Sequence, residues 1–189
     1  MITEEVEKLK VFLFEHSMQS GKAFADGVSL ATALNKQKDY HVTPIKRALI
    51  LKRYDAFVVK LNVQGLSHPI GIKIHPDFFP DCKINYSPER REVINRSQLT
   101  THVFDSFVVN IDGIPQRVVI YGFEEGTLLK DAKREGLIND EQQSLMISEI
   151  MTNVADLGVH LIVNDFSDFI INKNGTLKLL DWAKMTNET

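Results

Sequence analysis

Cysteine is nearly absent from this chain: Cys82 is the only one in 189 residues. No intrachain disulfide can form, and a reducing, cytoplasmic compartment is the natural reading. With no motif around it, Cys82 reads as a small, partly buried residue rather than a nucleophile. A surplus of positive charge is also missing. Lys and Arg number 22 against 25 Asp and Glu, a formal net charge of −3. The basic residues are scattered and no aromatic-basic stripe interleaves them, so nucleic acid is a poor partner. No apolar run approaches the roughly 20 residues needed to span a bilayer, which speaks against the membrane. The acidic, amphipathic start "MITEEVEKLK" is unlike a secretory leader. There is no internal repeat, no zinc-type spacing among the six histidines, and no G-x-S-x-G to mark a hydrolase nucleophile.

What remains is an ordinary globular composition, 43% hydrophobic and 25% charged, of a length that suits one domain or one with two lobes. Residues 3–17 predict a helix, with Thr3 as cap, Glu4 and Glu5 at its positive end, and Val6, Leu9 and Leu13 on one face. A second helix is predicted from about Ser29 to Lys38, and Pro44 then punctuates the chain. From Ala48, "ALILKRYDAFVVKLNV" offers two β-like runs around a polar turn, and "IGIKI" a third. Together they predict an antiparallel meander.

Ser87, Pro88 and Glu89 open a helix. "FDSFVVNI" and "IPQRVVIYGF" flank Asp112-Gly113 as a hairpin, and "GTLLKDAKREG" reads as a short helix. "NDEQQSLMISEIMTNVADLG" is the clearest helix. Asn139 or Asp140 caps it, Ile147, Ile150, Met151, Val154 and Leu157 form its stripe, and Gly158 ends it. After the strand-like "HLIV" comes a last hairpin, "FIINKNGTLKLL", with its turn at Asn172–Gly175. Strands and helices are partly segregated, which predicts α+β.

This order and several local motifs resemble a protein kinase in reduced form. "IGIKI" is similar to the V-A-I-K strand, and the resemblance implies that Lys73 meets the α- and β-phosphates of ATP. On the residues alone, Lys73 reads instead as a solvent-facing lysine on an edge strand. Glu92 follows Lys73 at a kinase-like separation, one turn into its helix. It takes the place of the glutamate that pairs with that lysine. Glu89, so near the cap, serves the helix dipole. "IYGFEEGTLLKD" resembles the hinge, where backbone groups of Tyr121, Gly122 and Phe123 would grip adenine. Asp181-Trp182-Ala183 stands at the D-F-G position, so Asp181 is the implied Mg²⁺ ligand. Asp168 precedes it by the family's usual interval and stands where the family has its metal-binding asparagine. A carboxylate is an equally good oxygen ligand for Mg²⁺.

The chain departs from the family pattern in three places. The turn between the first two strands, "KRYDAFVV", lacks the G-x-G-x-x-G that lets backbone amides approach phosphates. That implies weaker nucleotide binding or a loop set differently, with Lys52 or Arg53 offering charge instead. The family's catalytic base falls on Val163, in the segment leading to Asp168, and no valine accepts a proton. Asp165 is the nearby acid and the candidate base, whereas His160 reads as structural. The sequence given ends shortly after Asp181, so no activation loop, A-P-E or peptide-binding subdomain is expected.

The implied domains are an N-terminal helical extension (1–47), a kinase-like small lobe with an antiparallel sheet and one helix (48–122), and a truncated helical large lobe (123–189). The compact large lobe is similar in architecture to kinases that bacterial pathogens deliver into host cells. The implied cofactors are ATP and Mg²⁺, and the implied partner is a protein. Three functions stand: a Ser/Thr protein kinase, a catalytically inactive pseudokinase module that binds a partner protein, and a kinase-fold enzyme acting on a small molecule.

Overall fold

The structure is a computed structural model. It describes residues 2–19, 26–37, 40–45, 50–51, 54–55, 57–77, 87–161, 166–180 and 185–187. The chain divides into two units, Met1–Phe78 with Val103–Phe123, and Phe79–His102 with Glu124–Thr189. Mixed α+β character, expected from the order of elements, is what the structure has: a five-stranded antiparallel sheet, three smaller sheets and five α-helices among the described residues.

The first unit is built on that large sheet. Helix α1 (Ile2–Gln19) presents Val6, Leu9 and Leu13, all buried, as its periodicity requires. Helix α2 (Gly27–Leu34) starts earlier and stops sooner than the sequence predicts. The Asp26 carboxylate accepts the Ser29 N–H at 2.7 Å and fixes the start, while Asn35 closes the end. Strand β1 (Tyr40–Ile45) follows.

The expected meander is corrected at its first member. Residues 50–51 (β2) and 54–55 (β3) pair only with each other. Strand β4 (Phe57–Val63) is bonded to β1 on one side and to β5 (Ile70–Pro76) on the other, which leaves no edge for β2. Pro44, which reads as punctuation, lies within β1. That strand is an edge, where a missing N–H is tolerated.

The hairpin of β6 (Val103–Ile111) and β7 (Ile114–Gly122) completes the sheet in the order β1-β4-β5-β7-β6. Asp112 and Gly113 have φ of 52° and 82°, the paired left-handed residues of a tight hairpin turn. The period-2 alternation of β5 sends Ile70, Ile72 and Ile74 into the core beneath α1 and α2. On the other face of the sheet the Arg117 Nε donates to Asp77 Oδ1 at 2.8 Å and Nη1 to Ser106 Oγ at 3.1 Å. Both side chains of this ion pair are buried.

In the second unit, helix α3 (Pro88–Ser97) has the expected cap. Ser87 Oγ accepts the Arg90 N–H at 3.2 Å, and Gln98 ends the helix in the left-handed region. Residues just beyond it run beside β11 (Leu177–Leu179), where the Leu179 N–H donates to the Leu99 carbonyl at 2.9 Å. The predicted helix at 126–136 divides into strand β8 (Gly126–Leu128) and helix α4 (Leu129–Arg134).

Helix α5 (Asp140–Ala155) opens with a reciprocal capping box between Asn139 and Gln142. Its buried face carries Gln143, Ile150 and Val154, whereas Met151, expected in the stripe, is 37% exposed at its margin. Strand β9 (Val159–Leu161) pairs with β12 (Met185–Asn187), and β10 (Phe169–Asn172) lies between β11 and β8. Where β8 meets β10, a side chain at Gly126 would come within 2.1 Å of the Ile171 carbonyl oxygen, so only glycine fits.

Among the described residues no helix is long and apolar enough to cross a membrane.

Candidate functional site

The last hairpin is held at both ends. At its turn, Asn172 Oδ1 accepts the N–H groups of Asn174 and Thr176 at 3.0 and 2.9 Å, and Gly175 adopts φ 79°. Asn172 Nδ2 also donates to Glu124 at 2.9 Å, which ties the turn to the segment leading into β8. At the open end a 3₁₀ turn (Phe166–Asp168) delivers Asp168 to the start of β10. The Leu180 N–H closes the hairpin on the Asp168 carbonyl at 2.7 Å.

Asp168 is only 2% exposed, beside the fully buried Phe169, Ile170 and Leu179. A carboxylate removed from water in this way is a group that proteins pair or use to coordinate cations. Asp165 and Asp181, with Val163, Trp182 and Ala183, lie outside the described residues, as do Cys82, Lys52 and Arg53. Connectivity nevertheless relates the three acids. Asp181 is the next residue after Leu180, and Asp165 precedes the 3₁₀ turn that ends in Asp168. In chain order the strands of the β9–β12 pair lie outside those of the β10–β11 hairpin. Among the described residues no group of three or more His, Cys, Asp or Glu is placed to hold a metal.

Lys73 lies on β5, the central strand of the large sheet, opposite Val58 and Val119. It is half-buried, and its strand is bonded on both sides, so the edge-strand position is corrected. Gly71 shares its face, two residues away. Across the sheet from Gly71 stand Lys60 and Tyr121, and the Lys60 ammonium sits 5.3 Å from the centre of the Phe123 ring. The Phe123 N–H, one of the backbone groups assigned to adenine, donates to the Pro69 carbonyl at 2.9 Å. Sequence reasoning passed over Gly71, although the period-2 pattern puts it on the Lys73 face, and Lys60, whose place beside it is set by the β4–β5 register.

Glu92 belongs to the second unit, with Asp168, and Lys73 to the first. The Glu92 carboxylate is 65% exposed and bonded to Arg96 one turn on, an i,i+4 pair along α3. Glu89, in the first turn of α3, is exposed and placed to favour the helix dipole. No protein-family model matches the chain, and no curated protein matches it.

Proposed function

We propose that this chain is an ATP- and Mg²⁺-dependent phosphotransferase of protein-kinase-like fold, acting on serine or threonine of a partner protein. The observation that carries the reading is the closure of the β10–β11 hairpin, Leu180 N–H on Asp168 carbonyl at 2.7 Å, with Asp168 buried. Asp168 directly precedes β10, and Asp181 is the residue that follows Leu180 in the chain. Together they would hold Mg²⁺, which when bound neutralises charge on the β- and γ-phosphates.

Lys73, on a rigid central strand, would neutralise the α- and β-phosphates. In the transfer, the substrate hydroxyl oxygen bonds to the γ-phosphorus as the bond from that phosphorus to the oxygen of ADP breaks. The hydroxyl proton passes late to the Asp165 carboxylate. Glu92 enters the reading as the partner of Lys73, which requires exchanging Arg96 for Lys73.

A catalytically inactive module that binds a partner protein is the second reading. It is favoured by the glycine-free connection between β1 and β4 and by the Glu92–Arg96 pair.

Thermal unfolding in the presence of ATP tests the proposal. At about 100 times the dissociation constant a ligand adds about 2.7 kcal/mol, so ATP is expected to raise the melting temperature clearly when Mg²⁺ is present. Lys73→Ala, checked for an unchanged ligand-free melting temperature, is expected to lose most of that gain. Equal melting temperatures for the wild type with and without ATP and Mg²⁺ would remove the nucleotide reading.

A further inference from the structure

The row of the large sheet next to Lys73 already holds a ring. Lys60, Gly71 and Tyr121 are directly opposed across β4, β5 and β7, while Val58, Lys73 and Val119 form the neighbouring row on the same face. A Cβ added to Gly71 would lie 2.3, 2.5 and 2.8 Å from Cζ, Cε2 and Cε1 of Tyr121. The far end of the tyrosine ring therefore rests directly on the Gly71 backbone, reaching from β7 onto the central strand.

Two residues along a strand span about 7 Å. A nucleotide with its phosphates at Lys73 and its base turned towards residues 121–123 would set that base over Gly71. Phe123, with Lys60 at 5.3 Å from its ring centre, walls the same strip at the outer end of β7.

We infer that the Tyr121 ring fills the nucleobase subsite beside Lys73 and that moving it aside sets the affinity for nucleotide. This rests on the nucleotide-binding reading above. A site whose competent state is a minor population binds more weakly by that fraction. On this inference the ring would weaken base binding in addition to the effect expected of the glycine-free connection. An aromatic side chain covering a cross-strand glycine also stabilises a sheet, and a purely structural role would leave affinity untouched once the protein is folded.

Calorimetric titration of the wild type, Tyr121→Ala and Gly71→Ala with ADP and Mg²⁺ separates these roles, alongside a base-free probe, pyrophosphate with Mg²⁺. Gly71→Ala pushes the ring off from the opposite strand and serves where Tyr121→Ala folds poorly. Both variants are expected to bind ADP about tenfold more tightly, as for a ring-out state populated at about one in ten, with pyrophosphate affinity unchanged. ADP affinity that is unchanged or weaker in a folded variant overturns the inference alone, the weaker case making Tyr121 a stacking platform. No ADP binding to any of the three proteins overturns it together with the phosphotransferase reading.

Discussion

Replacing Asp181 by alanine is expected to lower phosphate transfer from labelled ATP by about 100-fold or more, read as autophosphorylation and as transfer to a protein extract. Removing a single charge-stabilising group from a transfer site costs that order of rate, and phosphoryl transfer relies on electrostatic stabilisation and positioning. The other acid of the pair is built into the fold. Asp168 is 2% exposed and its carbonyl closes the hairpin. Asp168→Asn keeps that shape and an oxygen ligand, so it is expected to fall between the wild type and Asp181→Ala. Equal, low transfer by the wild type and Asp181→Ala would leave the inactive binding module as the better reading.

The second large effect concerns stability. Asp77 and Arg117 form a bidentate pair, 2.8 and 3.3 Å, whose side chains are 6% and 9% exposed. Ser106 takes a third guanidinium N–H. Removing one partner of such a buried pair strands the other charge away from water and costs about 3–5 kcal/mol. Arg117→Met is expected to lose that much in urea unfolding, and Asp77→Asn combined with Arg117→Met to recover part of it, because the stranded carboxylate is then gone. A loss below about 1 kcal/mol in Arg117→Met would mean that the pair is hydrated and contributes as a surface pair does.

Both predictions draw on features with different legibility in the sequence. Local chemistry could be read directly, except that Thr3, expected to cap α1, lies inside it. Ser87 caps the helix it was expected to cap, Asn139 is the one of the two expected candidates that caps α5, Asp112-Gly113 makes its turn, and Asn172–Gly175 closes the last hairpin. Each depends on hydrogen bonds within a few residues, so sequence spacing determines them.

What depends on tertiary partners could not be read. Ile50–Leu51 has a strand's composition, yet β4 is already bonded on both sides. Met151 lies on the helical stripe, but the core reaches only as far as Ile150 and Val154. The same division runs through the site. The interval between Asp168 and Asp181 and the burial of Asp168 follow from one hairpin. The Tyr121 ring on Gly71 arises from the pairing of β5 with β7, strands separated by α3 and β6 in the chain. The Glu92–Arg96 pair was visible as an i,i+4 spacing. A search for a distant lysine partner passes over so local a competitor.

The most direct test of the phosphotransferase account is a crystal structure with a non-hydrolysable ATP analogue and Mn²⁺, in which anomalous scattering locates the cation. The account predicts Mn²⁺ bound jointly by the carboxylates of Asp168 and Asp181 and by the β- and γ-phosphates, with Lys73 Nζ on the α- and β-phosphates. Mn²⁺ or the analogue bound without either aspartate would contradict it.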